Sequence, residues 1–190
     1  MRTSHADGSV TRASWSLLAS AMLLVALYVP EAEASGTVLS TVLVRHANTL
    51  TITVPSGSVT LGSAHPSGTI SASLGTLSVV DSRNGIPPWT AAVTATDFTT
   101  RSGASTYTIA KSNVSYWSGP ITAQSGTGSR VPGEPSANDK VPLAVQRTAF
   151  SGRKTAAVTQ STSWAPTLVI TVPVSAVAGT YTGVISHSAA

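Results

Sequence analysis

The sequence predicts an all-β protein: an antiparallel immunoglobulin-like (Greek-key) sandwich that follows an N-terminal signal peptide. Three observations carry this. Apolar residues alternate with Thr and Ser in short runs such as TLTITV (residues 49–54) and WTAAVTA (residues 89–95). A period of two is the mark of a half-buried strand. The runs stop at Pro, Gly and Asn-Gly, residues that suit turns. Beyond residue 34, no stretch keeps a helical period for longer than about two turns.

The N-terminus comes first. Arg2 and Arg12 precede the apolar run LLASAMLLVALYV (residues 17–29), which Pro30 breaks, and Ala32-Glu33-Ala34 follows. A basic start, a short apolar core and an A-x-A site together make a secretory signal peptide. The run is shorter than the about 20 residues that a membrane-spanning helix needs. Residues 1–34 are read as the signal peptide, with cleavage between Ala34 and Ser35. Residues 35–190 form one domain, which carries no membrane segment after cleavage. This part holds nine Lys and Arg against four Asp and Glu, a net charge of +5. With no cysteine in the chain, disulfides, thiol catalysis and cysteine metal sites are excluded.

Along the domain, Leu50, Ile52 and Val54 form one face of a first strand, ended by Pro55 and Gly57. Residues 58–61 read as a second strand, followed by a loop with His65, Pro66 and Gly68. Residues 74–81 are a third, with Leu77 and Val79 on one face. Asn84-Gly85 is a strong turn signal, and residues 74–98 are read as one long hairpin across it. Residues 107–110 and 114–117 are shorter strands. Residues 119–135 and 151–163 read as loop-rich. In WAPTLVITVPVSAVAGTYTG (residues 164–183), Leu168, Ile170 and Val172 face one way, Pro173 closes the strand, and a bend leads into the last strand. Gly-Thr-Tyr at this bend resembles a tyrosine corner, in which the phenol bonds nearby backbone. Trp89 and Trp164 each begin an alternating run and are assigned to the core. A sandwich of this kind has roughly seven to nine strands.

Several segments resemble secreted proteins of high-GC Gram-positive bacteria: LGTLSVVDSRNG (residues 74–85), PWTAAVTATDFT (88–99), VSYWSG (114–119), RTAF (147–150) and the stretch at 164–188. The group is similar to the WxL surface domains, β-rich modules that sit on Gram-positive cell surfaces without covalent links. The resemblance implies a β-rich fold and an exported, cell-wall-associated location. Trp89-Thr90-Ala91 and Trp164-Ala165-Pro166 both lack the leucine of Trp-x-Leu, so it carries no wall-binding residue over to this chain.

Catalytic groupings are scarce. His46, His65 and His187 and Asp81, Asp97 and Asp139 could in principle serve an abundant serine, but no Gly-x-Ser-x-Gly elbow is present. Four acids among residues 35–190 argue against a glycosidase pair and against a calcium site. Asp81 reads instead as a turn aspartate that bonds backbone before Asn84-Gly85. The sequence therefore points to no enzyme, no cofactor and no metal. Two features could bind a ligand. Tyr116-Trp117 is an aromatic pair able to stack on a sugar ring, although aromatic residues in a small β-domain more often belong to the core. Lys140, Arg147, Arg153 and Lys154 form a late basic cluster that could attract an anionic wall polymer. The expectation is a secreted, non-catalytic cell-surface module retained non-covalently, with a cell-wall polymer or glycan as partner and no nucleic acid. Alternatives are a structural or adhesive subunit of a surface assembly that exposes or exchanges an edge strand, and a small secreted hydrolase.

Overall fold

The computed structural model describes residues 20–28, 35–40 and 48–190. The rest of the expected signal peptide, its cleavage site and His46 lie outside them. In chain order the strands are β1 (Ser20–Tyr28), β2 (Ser35–Ser40), β3 (Leu50–Thr53), β4 (Thr69–Ser73) and β5 (Leu77–Asp81). There follow β6 (Pro88–Ala95), β7 (Phe98–Ser102), β8 (Ser105–Ile109), β9 (Val114–Trp117), β10 (Ile121–Ser125) and β11 (Gly128–Pro132). The last are β12 (Val141–Pro142), β13 (Arg147–Lys154), β14 (Gln160–Trp164), β15 (Thr167–Thr171) and β16 (Thr180–Ala189). Among the described residues the only helical turns are two short 3-10 turns, Lys111–Asn113 and Ala137–Asp139.

The strands form a sandwich-like arrangement. One layer runs β11-β13-β6-β16, with β1 antiparallel to β16 along its length and β7 and β8 attached at Thr182. β2 pairs β1 and meets β16 at a single parallel bridge, Gly36 with Tyr181. The other layer consists of two four-stranded sheets, β10-β14-β5-β3 and β12-β9-β15-β4. These sheets are one layer broken along a line. β4 continues into β5, β9 into β10 and β14 into β15, and each pair is interrupted at the same level. The breaks fall at residues 74–76, 118–120 and 165–166, where Gly75 (φ 82°), Gly119 (φ 74°) and Pro166 stand. Positive φ and a missing N–H both interrupt a ladder. Across the break the backbone stays joined, with Leu74 N–H donating to Pro166 C=O at 2.9 Å.

The three breaks split three strands into six, and β1 lies in the expected signal peptide, which accounts for part of the excess of the sixteen described strands over the roughly seven to nine expected. The two spans read as loop-rich also carry strands. β10 and β11 occupy much of 119–135, and the ends of β13 and β14 occupy much of 151–163. β10 and β11 lack alternating apolar residues because they are mostly exposed, whereas in 151–163 the buried positions are Gly152, Lys154, Gln160 and Thr162, none of them apolar side chains. Arg130 holds the β10–β11 turn, donating to the carbonyls of Ser125, Gly126 (2.9 Å) and Gly128 (3.2 Å) and to Thr162 Oγ1 (3.0 Å). The strand expected at residues 58–61 does not form, with isolated bridges only at Val59 and Gly62, while TISAS, between the His65 loop and the strand expected at 74–81, forms β4.

The hairpin expected over residues 74–98 does not form. β5 pairs β14 and β3 in one layer, whereas β6 pairs β13 and β16 in the other. Asn84-Gly85 lies in a crossover between layers. Pro87 and Pro88 lack the N–H donors that a hairpin ladder would need there.

The core lies between the layers. Trp89, Ala91 and Val93 of β6 and Tyr181 and Ile185 of β16 face Leu77, Val79, Trp164, Leu168 and Ile170. The Phe150 ring stacks on Trp164 at 4.7 Å, joining the layers. Burying side chains of this size stabilises the fold by about 1.5–3 kcal/mol each. Trp89 is 2 % exposed and Trp164 fully buried, the core positions assigned to them from sequence. Trp89 lies flat over Gly152, its partner across the β6–β13 ladder. A Cβ at 152 would stand 2.5 Å from the indole.

Candidate functional site

The most elaborate side-chain network sits where the chain crosses from β5 to β6. Asp81, the last residue of β5, is wholly buried. Its Oδ1 accepts from Arg83 N–H and from Arg83 Nε, both at 3.0 Å, and its Oδ2 accepts from Arg83 Nη2 at 3.1 Å. The backbone bond is the turn role expected of Asp81. Lys154, at the end of β13, is also buried; its Nζ lies 3.5 Å from Asp81 Oδ1 and donates to the Arg83 carbonyl. Burial opposes the charge on Asp81, but the Arg83 hydrogen bonds and the two nearby cations outweigh it and hold the carboxyl below the ordinary aspartate range.

Arg83 Nη2 also donates to Pro88 C=O at 2.9 Å, and Arg153 Nε donates to Ile86 C=O at 3.3 Å. The crossover is therefore pinned at both ends by guanidinium groups. Beside it opens a cleft of about 310 Å³ lined by Ile86, Ser129, Arg153, Lys154 and Thr155. Arg83 and Lys154 share the Asp81 carboxylate, and Arg153 stands exposed at the rim of the cleft, which is therefore electropositive. Below it, Trp89 Nε1 donates to Gln160 Oε1 at 2.8 Å, and Gln160 Nε2 to Thr127 C=O at 3.0 Å.

The residues singled out from sequence do not converge on one surface. Arg153 lies exposed at the cleft, whereas Lys154 beside it turns inward onto Asp81. Arg147 stands six residues earlier on β13, about 20 Å away at strand rise, half-buried and donating to Pro142 C=O at 3.2 Å. Lys140 is exposed and reaches Ala137 C=O at 3.4 Å. Trp117 is half-buried beside Gly119, while Tyr116 is fully buried and so is not placed to stack on an external sugar. Arg83 escaped notice in the sequence. The Asp-x-Arg spacing of Asp81 and Arg83 is its only local signal.

A second, enclosed polar group lies deeper. His187 Nε2 is 3.3 Å from Tyr116 Oη, and His187 is fully buried. Burial pushes the imidazole down to about 3, so it is neutral, and pushes the Tyr116 phenol up. Glu134, 7 % exposed, is pushed up to about 7 by burial, against the pull of Arg147 and with the push of Asp139. Its Oε2 and His187 Nδ1 have no hydrogen-bond partner among the described residues. His65 is exposed, so His65 and His187 are not brought into a common arrangement. Comparison with protein-family models, with curated proteins and with solved structures finds no match.

Proposed function

We propose that the protein is an exported, non-catalytic β-sandwich module, held non-covalently at the cell envelope by an anionic wall polymer that docks at the Arg153 cleft. The observation that carries this reading is the exposed Arg153 at an open cleft, beside Arg83 and Lys154, which share the single carboxylate of Asp81. All three cations are held by backbone carbonyls, so little side-chain freedom is lost when a polyanion arrives. The apolar run and A-x-A site at the N-terminus and the likeness to WxL surface domains support the exported, wall-associated part. An immunoglobulin-like Greek-key topology belongs to the same reading, supported by the bonds between Tyr181 and Val177.

The test is co-sedimentation of the secreted protein with purified Gram-positive cell walls over a salt series. A polyanion contact pellets the protein at low ionic strength and releases it near 1 M salt, where the screening length falls to about 3 Å. Protein that stays in the supernatant at every salt concentration contradicts the proposal.

A further inference from the structure

Resting on the export reading above, we propose that the outer edge of β16 is a strand-accepting surface. β1 holds it in the uncleaved chain; β2, residues 35–40 of the same chain, occupies it, parallel to β16, once residues 1–34 are removed. β1 lies within the apolar core of the expected signal peptide and pairs β16 over nine residues, Ser20 with Ser188 through Tyr28 with Thr180. The opposite edge of β16 is taken by β6 and β7. Val184 turns both its N–H and its C=O toward Thr96, at 2.8 and 2.9 Å. Strand alternation then aims the backbone groups of Tyr181, Gly183, Ile185 and His187 at β1. Cleavage at Ala34 would remove their partners.

An edge so exposed needs cover. β16 reads TYTGVISHSA, without the Lys or Pro with which natural edges avoid pairing with other chains. It is ten residues long, and its one ionisable group besides the Tyr181 phenol, His187, is buried. The occupant is already adjacent. β2 lies parallel to β16, and Gly36 already bridges Tyr181. Moving β2 inward by one strand spacing, about 4.8 Å, would fill the vacated place. β2, SGTVLS, carries Thr37 and Val38, β-branched residues of the kind that strands favour. Extending the existing bridge along β2 sets Val38 against Gly183 and Ser40 against Ile185. The N–H of Thr37 and of Leu39 would then donate to the carbonyls of Tyr181 and Gly183.

The experiment is to express the full chain in an exporting bacterium and recover the protein from the medium. Its intact mass, oligomeric state and amide hydrogen exchange are then measured. The expected product begins at Ser35, is monomeric, and protects the amides of Gly183 and Ile185. Leu39→Pro should speed exchange at those amides by at least about tenfold, while Val184, which faces Thr96, stays protected. A product that retains residues 1–34 overturns the export reading and this inference with it. A product that begins at Ser35 overturns this inference alone in any of three cases: those amides exchange freely, Leu39→Pro leaves them unchanged, or the edge is covered by a second copy in a dimer or fibre.

Discussion

The Tyr181 phenol clasps the backbone of Val177, four residues upstream. Its oxygen accepts from Val177 N–H and donates to Val177 C=O, both at 3.2 Å. The bend between Pro173 and β16 is thus closed by a side chain that is itself 1 % exposed, and this fixes where the last strand enters the sheet. Tyr181→Phe removes only the two bonds and should cost on the order of 0.5–1.5 kcal/mol, more if the Val177 carbonyl is left dry. Tyr181→Ala, which also opens a cavity, should cost about 3–5 kcal/mol. Denaturant unfolding of both variants measures this. An unchanged midpoint for Tyr181→Phe would leave the ring a mere filler of the bend.

Gly152 is required by a ring rather than by its own dihedral angles. With the Trp89 indole 2.5 Å from any Cβ there, and Trp89 almost fully buried, the ring has nowhere to retreat. Gly152→Ala should destabilise by about 1–3 kcal/mol, the usual cost of overpacking. Thermal melts and tryptophan emission would show it as a lower Tm with a red-shifted native spectrum. A Tm equal to that of the original protein would mean that the β6–β13 contact yields easily.

Asp81 holds two cations on one buried carboxylate, and its removal leaves Lys154 charged and unpaired. Asp81→Ala should therefore cost on the order of 3–5 kcal/mol. Lys154→Met spares the Arg83 bonds and should cost much less. Because the Asp81 carboxyl is held below its ordinary value of 3.8, its contribution is complete above that pH and is lost as pH falls through the folded value. Urea unfolding of the three proteins at pH 7 and in acid checks both statements. Equal losses for Asp81→Ala and Lys154→Met would refute the ranking.

Glu134 and His187 set opposing pH slopes. Glu134, raised from 4.5 to about 7, keeps its proton in the fold, so its contribution declines as pH rises from about 4.5 to 7. His187, lowered from 6.5 to about 3, is neutral in the fold, so stability declines as pH falls through that window. Glu134→Gln removes only the first slope. Its stability relative to the original protein should improve steadily between pH 4.5 and 7 and level off above, by on the order of 2–3 kcal/mol in all. A pH-independent difference would mean that the carboxyl is ionised throughout.

Much of the larger layer was legible in the sequence, because β6 and β16 bury one face and alternate strictly. The tyrosine corner was legible for the same reason, since its residues are local. The crossover after Asp81 was not. An Asn-Gly turn looks the same between two strands of one sheet as between two layers, and only pairing with β14 and β13, far along the chain, distinguishes them. β10 and β11 were missed because their mostly exposed residues carry no apolar period, and β4 because its buried face is only Ile70 and Ala72. The basic cluster showed a similar limit. Arg153 and Lys154 are neighbours in sequence, yet strand alternation sends one to the cleft and the other to Asp81, while Arg83 joins them from another strand's end.

The measurement that tests the central claim most directly compares Arg153→Glu with Arg101→Glu in binding to purified cell walls at low salt. Both residues are exposed and both changes alter the net charge equally, but Arg101 lies on β7, remote from the cleft. If the cleft is the docking site, Arg153→Glu should weaken binding by about tenfold or more, while Arg101→Glu lowers it only slightly through the general field. Equal losses in the two variants would mean diffuse attraction to a basic surface. No loss in either would contradict the account.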